Sequence, residues 1–449
     1  MPPVPFHRRA FLAFFILAFL VLAPAVIFYT SGYRWNAKKG MIERNGTLIL
    51  DTQPPDASIS LNGEMIPERT PVTLQNVAPG TYHIKLERDG YTSWEKTLDV
   101  RPERVTFVND VWLWPRVSPV LRHEANAHTL AVSPNGRLIA WVETKEGTSQ
   151  LVMRDQFTAL VQGAADDGNS IIKNFSAHSP TGTVQLEWNE SSTAILVRDT
   201  AGHTWFANRS ASGDAQQLSD AAYRWSGGTF VGIRRTMSGG REVVEKTETI
   251  IASGQVRRIP LAATVVDEEG DLQLVATTGT SRLSVIERGR PDRHYELPDG
   301  SWHFASPNDD AVFVTDGRSW LGFVPGQAES GFVRLPTSAS PVFLSHNRNQ
   351  LALSFSGGEL WMSVLPQTEQ LLIRLGDALK GIAWHDQGQY VFYATEREVF
   401  ALGLDARQGR VQTSIASFER IGSLAIGEGF LYIAGKRDGQ EGIWELGIE

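Results

Sequence analysis

Residues 130–141 read LAVSPNGRLIAW, two short apolar runs on either side of a four-residue turn signal. The turn signal is Ser133-Pro134-Asn135-Gly136, in which proline presets one backbone angle and Asn-Gly accepts positive φ. Apolar runs joined by such a turn predict two neighbouring strands of an antiparallel sheet. This stretch is the unit to which the rest of the sequence is compared.

The unit repeats along residues 110–449. The position that ends each first strand recurs about every 40 residues after a longer first interval, at Ser133, Asn189, Ser226, Asp267, Ser306, Ser345, His385 and Ile426. A period near 40 residues, with about four strands in each unit, is typical of a β-propeller. We predict an all-β fold with eight blades over residues 110–449, or seven blades if the unit around Trp225 is incomplete.

The eighth unit lacks a fourth strand, since Glu449 follows its third strand. An open edge strand leaves backbone donors and acceptors unpaired. Residues 111–121, which read VWLWPRVSPVL, precede the first unit and belong to none. We predict that they supply the missing outer strand and close the propeller.

Individual units resemble TolB-type propeller repeats, most clearly in the stretch 130–141. Later units keep traces of its turn at Ser306-Pro307-Asn308-Asp309 and Asp386-Gln387-Gly388. The resemblance implies the fold and no particular ligand, because propellers carry unrelated functions.

Residues 46–109 form a different pattern, in which short alternating runs such as 47–52 (TLILDT) and 57–61 (ASISL) are separated by turns. Asn62-Gly63 between apolar neighbours predicts a two-residue hairpin. The pattern predicts a small antiparallel sandwich. The segment resembles the PEGA domain at Pro54-Pro55-Asp56-Ala57, Leu61-Asn62-Gly63, Thr70-Pro71, Ala78-Pro79-Gly80-Thr81-Tyr82, Asp89-Gly90-Tyr91 and Trp94, although Asp56 replaces the family's namesake glycine. The resemblance implies a β-sandwich of surface and envelope proteins without catalytic residues.

Residues 10–29 carry no charge and as a helix would be about 30 Å long, enough to cross a bilayer. We predict a single-pass transmembrane helix that binds the lipid bilayer, with a cytoplasmic tail at 1–9, a stalk at 30–45 and the bulk of the chain outside the cytoplasm. The alternative is a signal peptide cleaved near Ala23-Pro24-Ala25.

The composition excludes several classes of protein. The 449 residues include no cysteine, which excludes a disulfide scaffold, a thiol nucleophile and a cysteine-liganded metal. The formal net charge of -8 argues against nucleic acid as a partner.

No residue is predicted to be catalytic, to bind a cofactor or to bind a metal. His123 and His128 are five residues apart, whereas a zinc-binding helix needs a spacing of four. The acidic runs 166–167 and 267–271 lack the alternation of a calcium loop and are predicted to be solvated turns. We predict packing between blades for Trp188, Trp225 and Trp384, and structural roles for His83, His178, His203, His294, His303, His346 and His385.

These observations favour a non-catalytic binding scaffold in which the propeller recognises a protein or a glycan. Two alternatives stay open. One is a structural component of the cell envelope, and the other is an enzyme with its site in the central channel of the propeller.

Overall fold

The computed structural model describes residues 6–449 apart from a set of short segments. The segments it leaves undescribed are 31–32, 37–40, 146, 157–169, 219–221, 227–228, 240, 252–254, 263, 270, 277–282, 288–289, 301, 306–311, 317–318, 324–332, 336–341, 344–350 and 365–367. The chain divides into two compact units, one of Met1–Arg116 with Asp405–Thr413 and one of Val117–Leu404 with Ser414–Glu449.

The described chain begins with one helix, α1 (Phe6–Thr30), which contains Pro24. A two-stranded hairpin follows, β1 (Tyr33–Asn36) and β2 (Met41–Arg44). The prediction of a transmembrane helix at 10–29 is wrong, and so are the predicted membrane location and the cytoplasmic tail at 1–9. Among the described residues, no helix has both the length and the apolar character that a crossing requires.

The rest of the first unit is a sandwich of seven strands in the described residues. They are β3 (Gly46–Gln53), β4 (Ser58–Leu61), β5 (Glu64–Arg69), β6 (Val72–Val77), β7 (Gly80–Glu87), β8 (Trp94–Val100) and β9 (Val105–Trp112). One sheet has the order β6-β3-β9 and the other β5-β4-β7-β8. β3 pairs with β9 in parallel, whereas the other pairs are antiparallel.

Alternate side chains of the strands form the core of the sandwich, as the period of two along a strand requires. Leu48 and Leu50 on β3 pack against Ile59 on β4 and Leu86 on β7. The core extends beyond the predicted end of the sandwich at residue 109, because Leu113 is fully buried in it.

The segment Asp405–Thr413 also contributes to the first unit. Val411 packs against the sandwich core. The Nζ of buried Lys96 donates to the backbone oxygen of Asp405 at 2.7 Å and lies 2.9 Å from its Oδ2. Arg407 donates to the backbone oxygen of Phe107 at 2.9 Å. This sandwich is therefore completed by residues about 300 positions further along the chain.

The second unit consists of antiparallel sheets, eight of them in the described residues and each with four strands. The first sheet contains β11 (Ala127–Val132), β12 (Leu138–Lys145), β13 (Thr148–Asp155) and β14 (Ser170–Asn174). The second contains β15 (Val184–Trp188), β16 (Ala194–Asp199), β17 (Thr204–Asn208) and β18 (Gln216–Gln217), and the third contains β19 (Ala222–Ser226), β20 (Thr229–Ser238), β21 (Arg241–Ile250) and β22 (Val256–Leu261). The fourth contains β23 (Val265–Glu269), β24 (Leu272–Ala276), β25 (Leu283–Glu287) and β26 (Arg290–Glu296).

The later sheets have the same order. The fifth is β27 (His303–Phe304), β28 (Val312–Thr315), β29 (Trp320–Phe323) and β30 (Val333–Leu335); the sixth is β31 (Val342–Phe343), β32 (Leu351–Ser356), β33 (Glu359–Val364) and β34 (Thr368–Arg374); the seventh is β35 (Gly381–Trp384), β36 (Tyr390–Ala394), β37 (Glu398–Gly403) and β38 (Gln412–Ser417). The eighth is β39 (Arg420–Gly427), β40 (Phe430–Arg437) and β41 (Gln440–Gly447), with β10 (Val120–Glu124) as its outer strand.

The eighth sheet joins the two ends of the second unit. β10, from the start of the unit, pairs antiparallel with β41 near its end. The inner strand β39 lies against β11 of the first sheet and β35 of the seventh. The arrangement is propeller-like.

Of the segment 111–121 only Val120 and Leu121 lie in β10, because Val111 and Trp112 continue β9 of the sandwich.

Tryptophans on inner strands connect neighbouring sheets. The indole Nε1 of Trp188 donates to the backbone oxygen of Ala131 in the preceding sheet at 3.2 Å. Trp225 repeats this contact with the backbone oxygen of Glu187 at 3.0 Å. Both are buried, and buried Trp384 packs in a cluster formed by the sixth and seventh sheets. The predicted packing of these tryptophans between sheets is confirmed.

Candidate functional site

Turns between the first and second strands of a sheet share one hydrogen-bonding pattern in the first, second and seventh sheets. The residue that directly follows the first strand donates its backbone N–H to the carbonyl of the residue five positions later. Its own backbone carbonyl accepts the N–H of the residue three positions later. The three residues are Ser133, Asn189 and His385, which are 3%, 0% and 1% exposed. They are three of the positions that define the sequence repeat.

The side chains of these residues form hydrogen bonds within their turns. The Ser133 hydroxyl accepts the N–H of Leu138 at 2.9 Å and donates to Asn135 at 2.6 Å. Asn189 Oδ1 accepts the N–H groups of Thr193 and Ala194 at 2.8 and 2.9 Å. His385 Nδ1 accepts the N–H of Gln387 at 3.4 Å, and burial lowers the pKa of His385 to about 4, so its imidazole is neutral at pH 7. Each turn is thus preorganised by its own buried polar residue.

The turns of the seventh, eighth, first and second sheets are neighbours in that order. The N–H of Asn135 donates to Ser192 Oγ of the second sheet at 3.2 Å. Gly136 has φ of 71°, and a Cβ there would lie 3.1 Å from Cγ of Glu428 in the eighth sheet. Glu428 in turn interacts with Asp386 of the seventh. We call residues 133–137, 189–193, 385–389 and 427–430 the turn rim.

The turn rim carries two exposed carboxylates from neighbouring sheets, Asp386 and Glu428. Partial burial, and then the negative charge of Glu428, raise the pKa of Asp386 above its usual range. Repulsion between two carboxylates is relieved by an approaching cation. The arrangement therefore favours binding of a positively charged group.

A second polar cluster lies in the second sheet, at the turn between β16 and β17. Asp199 accepts the N–H and the Nδ1 of His203 at 2.8 and 3.1 Å, and the N–H and hydroxyl of Thr181 at 3.1 and 3.0 Å. Burial alone would raise the pKa of Asp199, but these hydrogen bonds outweigh it and lower the pKa to about 2. The rings of His178 and His203 meet edge to face at 4.4 Å and pack against Trp205. The predicted structural role fits these two histidines.

Replacing Asp199 by alanine is expected to cost about 1–3 kcal/mol of unfolding free energy, because the hydrogen bonds that Thr181 and His203 donate to its buried carboxylate are lost. Urea denaturation at pH 7 measures this loss. The pKa in the folded protein lies below the ordinary value, so the stabilisation is present above pH 4 and is lost as the pH falls towards 2. His83→Ala is the control, since the His83 ring is half exposed; an equal loss in both variants would contradict the prediction.

The other predicted groups are not brought together. His123 lies in β10 and His128 in β11, which belong to different sheets. In the part of the chain that the structure describes, no three or more His, Asp or Glu side chains are placed to hold a metal ion. Asp166, Asp167 and His346 lie outside the described residues.

The acidic run at 267–271 was predicted to be a solvated turn, and that prediction is wrong for its first two residues. Asp267 and Glu268 lie in β23 and are buried. Asp267 forms an ion pair with buried Arg224 of the third sheet, with 2.9 Å between Nη1 and Oδ1. Arg224 is distant in sequence, so the run of acids alone does not reveal its partner.

Sequence reasoning did not identify Asp386 and Glu428 as a pair. Asp386 directly follows the repeat position His385, and Glu428 follows Ile426 by two residues. Polar residues one or two places after the repeat position fall in the same turn of each sheet. Aligning the units on that position is the signal that would have grouped them.

Among the solved structures that the chain resembles are three domains of low sequence identity. The C-terminal WD40 domain of Sif2 has a TM-score of 0.43 at 13% identity, over 73% of this chain and 98% of that chain. The β-propeller domain of Cps50 (Swd1) from Myceliophteria thermophila has a TM-score of 0.42 at 11% identity, over 73% and 98%. The WD40 repeats of RRP9 have a TM-score of 0.43 at 8% identity, over 74% and 98%.

No curated protein matches the chain in sequence. The family model of the PEGA domain matches residues 45–111, which include all seven strands of the described sandwich apart from the last residue of β9. The resemblance noted for the sandwich is confirmed, and this segment of the chain matches the PEGA domain family.

Proposed function

We propose that this protein is a non-catalytic interaction scaffold whose turn rim binds a protein partner through basic side chains. The observation that carries the proposal is the placement of Asp386 and Glu428 on adjacent turns, close enough for one charge to raise the pKa of the other. A lysine or arginine near them relieves that repulsion, and a charge-assisted hydrogen bond to either carboxylate would add to the binding.

The hydrogen bonds within the turns of the rim support this function. Its turns are capped by Ser133, Asn189 and His385, whose buried side chains are part of the sheet framework. A preorganised surface loses little conformational freedom on binding, so more of the interaction free energy is retained as affinity. We infer that the eight sheets of the second unit are eight blades of one closed propeller, in which each turn stands at a fixed place.

The sequence of the Ser133 turn, which resembles TolB-type repeats, is compatible with this proposal without specifying a ligand. Glycan recognition is the other possibility from the sequence. A glycan would rely on neutral hydrogen bonds and aromatic stacking and would depend little on the two carboxylates. Removing the carboxylates therefore distinguishes a basic protein partner from a neutral glycan.

The test is the double variant Asp386→Asn/Glu428→Gln, with binding to a polylysine peptide measured by fluorescence anisotropy. The salt concentration is kept at about 0.05 M, where exposed charges are only weakly screened. Each exposed ion pair contributes about 0.2–1 kcal/mol, so the pair of substitutions is expected to weaken binding about tenfold. The loss should shrink as salt is raised, because salt screens exposed charges.

A matched control is Glu396→Gln/Asp438→Asn, which changes the net charge by the same amount in the same two sheets. Glu396 lies in the turn between β36 and β37, and Asp438 in the turn between β40 and β41. Successive hairpin turns lie at opposite ends of their strands, so these residues are at the other edge of the sheets. Equal loss of polylysine binding in both double variants, or binding of a neutral oligosaccharide with none of polylysine, would refute the proposal.

A further inference from the structure

Two histidine rings lie against each other beside the turn between β16 and β17. His203 belongs to this turn, and His178 lies in the segment between β14 and β15. The centroids of the two rings are 4.4 Å apart, and the ring planes are 79° from parallel. Both rings also contact Trp205, at 5.3 and 5.9 Å between centroids. The two imidazoles are thus held next to each other against one buried side chain.

Asp199 sets the tautomer of His203. Its carboxylate is fully buried and lies 3.1 Å from Nδ1 of His203. An ionised carboxylate can only accept a hydrogen bond, so Nδ1 carries the proton of the neutral imidazole and Nε2 keeps its lone pair. Metal-binding histidines are almost always oriented in this way, by an acceptor at the other ring nitrogen. His203 therefore has the arrangement of a metal ligand.

Both histidines are accessible from solvent. The side chain of His203 is 39% exposed, and His178 is also exposed. His178 lies outside the strands, and exposed side chains of this kind change rotamer within about nanoseconds. Its ring can therefore turn to present a nitrogen to the same ion as Nε2 of His203.

The distance between the rings indicates which metal ion fits. A ring nitrogen lies about 2.0–2.1 Å from a bound ion, and the ring centre lies about 1.1 Å beyond the nitrogen. Two imidazoles on one ion therefore have centres about 4.5 Å apart at a right angle and about 5.1 Å apart at the tetrahedral angle. The observed 4.4 Å is close to the value for a right angle. Copper(II) prefers such tetragonal coordination by nitrogen and oxygen, whereas zinc prefers the tetrahedral angle.

We propose that His178 and His203 bind one copper(II) ion through two imidazole nitrogens, with Asp199 as a positioning residue. The described residues offer no group of three ligands, so water completes the coordination. Successive hairpin turns lie at opposite ends of their strands, so this site and the turn rim are at opposite edges of the second sheet. Copper binding is therefore independent of the proposed binding of a partner.

The test is electron paramagnetic resonance of the full chain with a substoichiometric amount of copper(II), combined with competition against a chelator of known affinity. We expect a tetragonal spectrum with coupling to two imidazoles. His178→Phe keeps a ring against Trp205 and removes both nitrogens, so its spectrum should show one imidazole. Its copper affinity should fall by about a hundredfold, because linked ligands bind far more tightly than single ones.

A second variant tests the positioning role of Asp199. Asp199→Asn removes the charge that orients His203, and loss of such a partner typically weakens metal affinity by about tenfold to a hundredfold. Urea denaturation without copper checks that this variant is folded. The coupling to two imidazoles should remain, because both ligands are still present.

His128→Phe is the matched control, because it makes the same substitution at a histidine that is 58% exposed and lies beside Glu441. It should keep the spectrum and the affinity of the parent. The proposal is overturned if His178→Phe binds copper(II) as tightly as the parent, or if the spectrum of the parent shows a single imidazole.

Discussion

Replacing Asp267 by alanine is expected to lower the unfolding free energy of the second unit by about 3–5 kcal/mol, since it leaves a buried guanidinium without its counter-charge. The side chains of Arg224 and Asp267 are 4% and 2% exposed. Asp267 Oδ2 also accepts the N–H of Phe304 at 2.8 Å, and Arg224 donates to the backbone oxygen of Glu268 at 2.6 Å. The carboxylate thus joins the third, fourth and fifth sheets, and its loss affects all three.

Chemical denaturation followed by circular dichroism measures this effect. Arg374→Ala is the control, because Arg374 is 67% exposed in its ion pair with Glu359 and its loss should cost less than about 1 kcal/mol. The double variant Arg224→Met/Asp267→Leu should be more stable than Asp267→Ala, since it removes both charges together. If Asp267→Ala costs no more than Arg374→Ala, Arg224 is not held as a buried ion in solution.

Replacing Gly442 by alanine is expected to cost about 3 kcal/mol, at the upper end for an added methyl group in a packed site. Gly442 lies in β41, and a Cβ there would collide with the backbone oxygen of His123 and lie 2.6 Å from Cδ1 of Leu121. Both atoms belong to β10, and a backbone oxygen within a sheet cannot turn aside. The sheet can accept the methyl group only by displacing β10.

Urea denaturation gives the loss of stability, and hydrogen exchange locates it. Exchange should accelerate at the amides of β10 and much less in the fourth sheet. Gly376→Ala serves as the control, because a Cβ at Gly376 meets no atom within 4 Å and its backbone angle is one that alanine adopts. Its effect should stay within about 0.5 kcal/mol. Unchanged exchange in β10 of Gly442→Ala would contradict the assignment of β10 as the closing strand.

The repeat position marks the end of the first strand in four of the sheets, whereas Asp267 lies inside β23. Ser133, Asn189 and His385 directly follow the first strands of their sheets, and Ser226 ends β19. This agreement arises because a turn depends on the few residues within it, so Pro and Asn-Gly act in the same way in any fold. The sandwich was predicted for the same reason, from Asn62-Gly63 and from alternation along β3.

Predictions that depended on distant residues were less accurate. Asp267 and Glu268 were assigned to a solvated turn, because a run of acids without neighbouring bases is normally exposed. Arg224, more than 40 positions earlier, makes their burial possible. The transmembrane prediction for 10–29 rests on the absence of charge and on the length of that stretch, and no helix in the described residues meets the conditions for a crossing.

The features of the candidate site likewise fall into those that follow from neighbouring residues and those that depend on distant ones. The turns of the rim follow from short-range signals, so their existence and their capping residues can be inferred from the order of amino acids. The meeting of Asp386 with Glu428 and of Lys96 with Asp405 cannot, because each joins residues from different sheets or from distant parts of the chain. Local backbone preferences depend on neighbouring residues. A charged group, in contrast, meets its partner and has its pKa altered only when packing brings remote strands together.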